Sequence, residues 1–302
     1  MRHPHPHPPP APAPAETARG QAAAAVLARL WQALLREPVP GVTAVHAAGG
    51  RARVRWADGR DAHGPAAAPF TPAPTGLRIR FDGADHTDPA ALVAALPLPP
   101  GPRARLAAEI ADSVANLAMA YREAPAPPDL ATLAALPPAA AAVLGEQLVL
   151  DGHPLHPCCR TRLPMTRAQV RAYAPEYRPV VPVRWWRVPA DRWLSTGTGL
   201  PPLLPLHPFQ EGHLDPAAHG LRPGTRVSAA RPLMSLRTVA LDATTHLKLA
   251  VDVQMTSAVR RVSPAAVHNG PLLSDLVTAL ARRLPGFGVL AETAAGAVCA
   301  DG

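Results

Sequence analysis

Lysine is almost missing from this sequence: Lys248 is the single lysine among 30 basic residues, and the rest are arginine. The bias matches a GC-rich coding background, against which one lysine inside a strand-like stretch is a compositional outlier. The formal charge of +8 comes without any run of five basic residues. Arginines scattered singly make a solvated surface with a few anion-binding positions, and they argue against the clustered footprint of a nucleic-acid binder. Cysteine is scarce too. Cys158, Cys159 and Cys299 form no even framework and no CxxC pair, which argues against a disulfide scaffold and fits a reducing cytoplasm. Aromatics are only 4% of the chain, so the core must lean on Leu and Val stripes and five Trp. The N-terminus has no apolar h-region, and no run of eighteen apolar residues occurs anywhere, so neither a signal peptide nor a membrane span is expected.

What is present divides into stretches. Residues 1–15 alternate His, Pro and Ala and are expected to be a disordered, polyproline-like tail. Over 16–36, Val26, Leu27, Leu30, Trp31, Leu34 and Leu35 recur at helical spacing up to Pro38. Residues 42–60 alternate around a Gly-Gly pair and end in Asp-Gly, which predicts a hairpin, and 77–83 (LRIRFDG) predicts a further strand. A second helix is predicted over 103–122, with Leu106, Ile110, Val114 and Leu117 on one face. The proline-rich stretch that follows places a domain boundary near residue 128. The expected organisation is therefore an α+β domain over 16–128 and a second domain over 129–302, where any chemistry should lie.

Three motifs could carry that chemistry. In 152–162 (GHPLHPCCRTR) two prolines rule out a continuous helix, so an ordered loop presents His153, His156, Arg160 and Arg162 together. Imidazole and guanidinium groups donate hydrogen bonds to polyphosphate oxygens. Two other readings stay open: a purely structural loop, and a metal site using His153, His156 and Cys158, although ligands crowded into a few residues are poor zinc spacing. The second motif alternates in period two on both sides of residues 242–245. An even-length turn would pair Val239 with Lys248, Arg237 with Ala250 and Ser235 with Asp252. One face would then carry Ser235, Arg237, Lys248, Asp252 and Gln254 as a triphosphate cradle, with the cations stabilising a leaving pyrophosphate. An odd-length turn would separate Arg237 from Lys248. In the third, Thr256 or Ser257 could cap a short helix whose N-terminus attracts an anion, and Arg260 could hold a carboxylate in bidentate fashion. His207 and Gln210, in HPFQ, offer a further imidazole and amide.

Taken in order, 109–120 (EIADSVANLAMA), 146–162 (EQLVLDGHPLHPCCRTR), 173–177 (YAPEY), 207–210 (HPFQ), 235–238 (SLRT) and 248–260 resemble the IucA/IucC family of nonribosomal-peptide-independent siderophore synthetases. The resemblance implies an enzyme that uses Mg-ATP to adenylate a carboxylic acid, citrate or a related one. The acyl group would then pass to an amine or hydroxyl nucleophile. It implies a helical and β N-terminal domain followed by a mostly antiparallel-β nucleotide-binding domain. Carried over by position, His153, Ser235, Arg237, Thr238 and Lys248 would contact ATP phosphates, while Thr256, Ser257 and Arg260 would meet the carboxylate or the departing phosphate. The catalytic cations would be Arg237, Lys248 and Arg260. The chain departs from the family pattern at Arg160 (usually lysine), Pro164 (usually glycine) and Phe209 (usually tryptophan). Family members are about twice as long, so the C-terminal half is expected to be absent, and a second chain or a homodimer becomes a candidate partner. The competing expectations are a noncatalytic nucleotide- or carboxylate-binding subunit, an inactive truncated synthetase, and a metal-binding protein.

Overall fold

The computed structural model describes residues 15–68 and 76–299. The expected tail at 1–15 lies outside the described residues except for Ala15, where the first helix opens. The chain divides into two compact units, residues 1–178 with 253–258, and 179–252 with 259–302. The division falls between Arg178 and Pro179, not near residue 128.

In the first unit, helix α1 (Ala15–Arg36) buries Val26, Leu27, Leu30, Trp31 and Leu34 of the predicted stripe and adds Ala18 and Ala22, while Leu35 is partly buried. It packs on a meander of five strands: β1 (Val42–Ala48), β2 (Arg51–Trp56), β3 (Asp61–Pro65), β4 (Ile79–Phe81) and β5 (Ala84–His86), paired in sequence order and antiparallel throughout. Gly49 and Gly50, at φ +57° and +73°, make the two-residue turn between β1 and β2, a geometry whose twist suits the flanking strands and which glycine adopts without steric cost. Helix α2 (Pro89–Ala95) is capped by Asp88, whose carboxylate accepts from the amides of Ala90 and Ala91. Helix α3 (Pro100–Glu123) joins the core through Ile110, Val114 and Leu117.

The other side of α3 explains why residues 129–178 belong with this unit. Asp112, Ser113 and Asn116 are buried, although residues of these types are mostly exposed in folded proteins. They are buried because the chain folds back over them after α4 (Leu130–Ala134) and α5 (Pro138–Gln147), before reaching α6 (Arg167–Tyr173). Cys158 and Cys159 thereby enter the same hydrophobic core as Trp31 and Ile110.

The second unit is mostly antiparallel sheet. Its strands are β6 (Val181–Arg187), β7 (Trp193–Gly197), β8 (Leu203–Leu206), β9 (Arg222–Pro232), β10 (Thr238–Ala240) and β11 (His246–Lys248), with helix α7 (Pro208–His213) after β8. A five-stranded sheet runs in the order β11-β10-β9-β6-β8. The chain continues as β12 (Val251–Met255) and its partner β13 (Ala258–Arg260), then helix α8 (Pro264–Ala281), and then β14 (Ala294–Val298), which pairs with β7.

Helix α8 was not expected from the sequence, although Ser263 followed by Pro264 is a recognisable start signal. The Ser263 hydroxyl accepts from the Ala266 amide. It turns a face that includes Val267 and Pro271 inward, while Leu272, Leu273, Leu276, Val277 and Leu280 are each about half exposed. Among the described residues no helix is long and apolar enough to cross a membrane.

Candidate functional site

The predicted site residues fall in both units. His153, His156, Arg160, Arg162, Thr256 and Ser257 belong to the first, and Ser235, Arg237, Thr238, Lys248 and Arg260 to the second.

In the first unit, the loop around 152–162 is built on the polar stripe of α3. Ser113 Oγ accepts from the Arg160 amide at 2.9 Å, Asn116 Nδ2 donates to the Arg160 carbonyl at 2.9 Å, and Asp112 Oδ2 accepts from the Arg162 amide at 2.8 Å. Thr161 Oγ1 donates to the Glu109 carbonyl at 2.7 Å. This scaffold carries the two guanidiniums inward, which corrects their expected role. Arg160 is fully buried. It pairs with Glu176 at 3.0 Å and donates to the carbonyls of Leu150 and Val149. Arg162 is buried as well, donates to the Thr161 carbonyl at 2.9 Å, and has its pKa pushed down to about 10 by desolvation. Arg160 is structural, paired and hydrogen-bonded within the fold as a buried guanidinium must be, whereas Arg162 keeps a buried Nε without a hydrogen-bond partner.

The two histidines stay outside. His153 Nδ1 accepts from the amides of Leu155 and His156 at 3.2 and 3.0 Å, and His156 Nδ1 accepts from the Cys158 amide at 3.0 Å. An accepting Nδ1 leaves Nε2 of each ring as the nitrogen that can face outward as a donor. The rings meet edge to face with centroids 6.0 Å apart. The metal reading fares worse. Cys158 is buried with its Sγ 3.8 Å from a Glu109 oxygen, and burial followed by that carboxylate pushes its pKa up to about 12, so a thiolate ligand is disfavoured. Among the described residues no three His, Cys, Asp or Glu side chains group as a metal site.

Thr256 and Ser257 do not cap a helix. They form the tight turn between β12 and β13, with Thr256 at φ +55° and its Oγ1 donating to the Met255 carbonyl at 2.6 Å. A two-residue connection leaves no room for a helical turn, and the helix begins later, at the Ser263 cap.

In the second unit the predicted long hairpin is shorter and one residue out of register. The ladder pairs Thr238 with Lys248, Val239 with Leu247 and Ala240 with His246, because the loop over 241–245 has an odd number of residues. Asp242 sets that loop by accepting from the amides of Thr244 and Thr245, both at 2.8 Å. The shift places Thr238 directly opposite Lys248 and takes Arg237 off the Lys248 face of the ladder, the separation expected of an odd-length turn. Before β10, Leu236 takes φ +60° and is fully buried. This left-handed residue bends the chain so that Ser235 Oγ meets Thr238 Oγ1 at 2.9 Å and accepts from the Thr238 amide at 3.3 Å. Beyond the bend the ladder resumes with the Leu249 amide donating to the Arg237 carbonyl at 2.8 Å.

Three cations gather beside this turn. Burial lowers the pKa of the half-buried Arg237 guanidinium, the Arg260 charge lowers it further, and Glu292 opposes both. Lys248 Nζ lies 2.5 Å from Glu292 Oε1. Glu292 therefore contacts Lys248 and acts on Arg237, which lies within electrostatic reach of Arg260, an arrangement suited to an anion with several oxygens. Asp252, expected on the same face, is instead tied to Arg261 at 3.0 Å and His213 at 3.3 Å, and its amide donates to Gln210 Oε1 at 2.7 Å. The HPFQ segment thus fastens α7 to β12. His207 is its N-cap, Nδ1 accepting from the Phe209 amide at 3.1 Å, and burial lowers its pKa to about 4.

Sequence reasoning missed Glu292, the α3 stripe and the Gln210 contact. A signal for Glu292 existed: it is the only acidic residue between Asp275 and Asp301.

Comparisons with known proteins agree with one another. The model of the IucA / IucC family matches residues 141–199 and 202–301. Staphyloferrin A synthase of Staphylococcus aureus (strain NCTC 8325 / PS 47) is 31% identical over 185 residues, covering 49% of this chain and 32% of that protein. Rhizobactin siderophore biosynthesis protein RhbC of Rhizobium meliloti (strain 1021) is 32% identical over 155 residues, covering 39% and 26%. Among solved structures, ATP-bound aerobactin synthetase IucA from a hypervirulent pathotype of Klebsiella pneumoniae superposes with a TM-score of 0.64 at 20% identity, over 92% of this chain and 57% of that one. Petrobactin biosynthesis protein AsbB from Bacillus anthracis str. Sterne gives 0.64 at 12% identity, over 89% and 52%. These likenesses show the mixed helical and antiparallel-sheet fold, and the chain spans little more than half the length of the solved structures.

Proposed function

Because the chain belongs to the IucA/IucC family, we propose that it serves siderophore biosynthesis by binding ATP and adenylating a carboxylic acid of the citrate type, for condensation with an amine or hydroxyl. The observation that carries this reading is Lys248 standing opposite Thr238 beside the Ser235–Thr238 turn, with Arg237 in that turn and within electrostatic reach of Arg260.

In the adenylation step, a substrate carboxylate oxygen attacks the α-phosphorus of ATP, the bond to the β-phosphate oxygen breaks, and pyrophosphate leaves. The amine or hydroxyl then attacks the acyl carbon, releasing AMP and a proton. Fixed cations stabilise the charge that builds on the leaving pyrophosphate, a task for Arg237 and Lys248, while the planar fork of Arg260 matches a carboxylate. The hydroxyls of Ser235 and Thr238 add donors for phosphate oxygens. Mg2+ would enter with the triphosphate, since that ion is held by phosphates and water with one or two carboxylates and needs no all-protein cage. The roles of His153, His156, Thr256 and Ser257 rest on the resemblance alone.

The test is hydroxylamine trapping with Mg-ATP and a panel of carboxylic acids, citrate first. Hydroxamate and pyrophosphate formed with one acid, and lost in Arg237→Ala, support the reading and name the acid. ATP binding without product makes the chain a nucleotide-binding part that needs the rest of the family fold. Absence of ATP binding sinks the proposal.

A further inference from the structure

The only lysine of the chain is already engaged. Lys248 Nζ lies 2.5 Å from Glu292 Oε1, across 44 residues of sequence. Glu292 is held from two sides: its amide donates to Ser274 Oγ at 2.9 Å, and its other carboxylate oxygen lies over Gly270, where a Cβ would come within 2.7 Å of Oε2. Gly270 and Ser274 sit four residues apart on one face of α8, so the helix presents a seat shaped for this one residue. The charge of Glu292 also reaches Arg237, which in turn feels Arg260.

Stability does not explain the arrangement. The side chains of Lys248 and Glu292 are 51% and 41% exposed, and an ion pair so open to water contributes little. A weak, solvated, single-point pair, beside a second cation, Arg237, that feels the same carboxylate, is easily exchanged for a ligand with more oxygens.

We propose that Glu292 is a built-in counter-ion of the anion site: it holds Lys248 while the site is empty and gives it up to a phosphate oxygen of the incoming ligand. This rests on the reading of Arg237, Lys248 and Arg260 as a nucleotide site. The carboxylate competes with the ligand and thereby sets how tightly the site binds. No bond is made or broken.

The experiment is calorimetric titration of the 302-residue chain with Mg-ATP, with inorganic triphosphate, and with adenosine, which lacks the phosphates. Removing one like charge at about 4 Å from the ligand is worth about a fivefold gain in affinity in water, and more where water is partly excluded. Glu292→Gln should therefore bind Mg-ATP and triphosphate about five- to tenfold more tightly and adenosine no differently, with the gain shrinking as salt approaches about 1 M. Gly270→Ala, whose methyl group displaces the carboxylate, should shift affinity in the same direction. Glu292→Asp, too short to keep the contact, should fall between wild type and Glu292→Gln and covers the case in which the glutamine variant does not fold. Unchanged or weaker anion binding in Glu292→Gln, with wild type binding normally, overturns the inference and leaves the nucleotide site standing. If neither form binds either anion, both readings fall. Anion binding by Glu292→Gln alone would support the counter-ion role in its strongest form.

Discussion

The loop over 152–162 and the turn-and-strand segment over 235–260 use the same chemistry, arginine beside hydroxyl and ring groups, and put it to opposite ends. In the loop, Arg160 and Arg162 are carried into the interior by backbone hydrogen bonds to Asp112, Ser113 and Asn116, and meet Glu176 and main-chain carbonyls there. In the second segment, Arg237 is only half-buried and keeps company with Lys248, Arg260 and one exposed acid. Residue type does not separate the two. What separates Arg160 from Arg237 is whether neighbouring elements supply enough acceptors to satisfy the guanidinium inside the fold.

The sharpest way to break this comparison is Arg160→Leu. It leaves Glu176 buried without its partner, and loss of one member of a buried pair costs about 3–5 kcal/mol, read as a large drop in the denaturant midpoint. A change under about 1 kcal/mol would mean that the loop is no more structural than the second segment. Next in size is the pH dependence of the buried His207. Its pKa is lowered to about 4 from an ordinary 6.5, so the fold favours the neutral ring. That contribution is complete above pH 6.5 and is lost as pH falls towards 4, a span of about 3 kcal/mol. His207→Asn keeps a capping acceptor and cannot titrate, so its stability curve should be flat over that window by comparison.

Arg237→Ala should reverse the Arg160 pattern. Stability is expected to change by less than about 1 kcal/mol, while ATP affinity falls about 10- to 100-fold through loss of charge-assisted hydrogen bonds. A substitution that unfolds the protein instead would place Arg237 with Arg160. The smallest effect distinguishes the two caps: Ser263→Ala should cost about 1 kcal/mol by freeing the Ala266 amide, and Thr256→Ala should show no capping loss.

Much of the first unit was legible. The 3.6-residue stripe from Val26 to Leu34, the Gly-Gly turn and the apolar face of α3 are local signals, and the fold agrees with them. The buried polar face of α3 was not legible, because Asp112, Ser113 and Asn116 look like solvated residues until a loop more than 40 positions away covers them. Farther along the chain the alternation of Leu249, Val251, Val253 and Met255 correctly marked buried residues, yet the register of the hairpin before it failed by one residue. Period-two patterning gives the face of each strand, but the pairing depends on the turn, and the Asp242 contacts that set it look like any polar loop. Glu292 stood out only as a lone acid in its stretch, and its pairing was not legible for a similar reason, since its partner Lys248 lies on a different element.

The outward leucines of α8 have a practical consequence for the protein in solution. Sulfate and phosphate strengthen association between apolar surfaces, so they should drive molecules together through Leu272, Leu273, Leu276, Val277 and Leu280. The same two ions should also compete for the anion site proposed at Arg237 and Lys248. A buffer of chloride at moderate strength therefore keeps two unrelated behaviours apart, and a titration run in phosphate would mix clumping with competition.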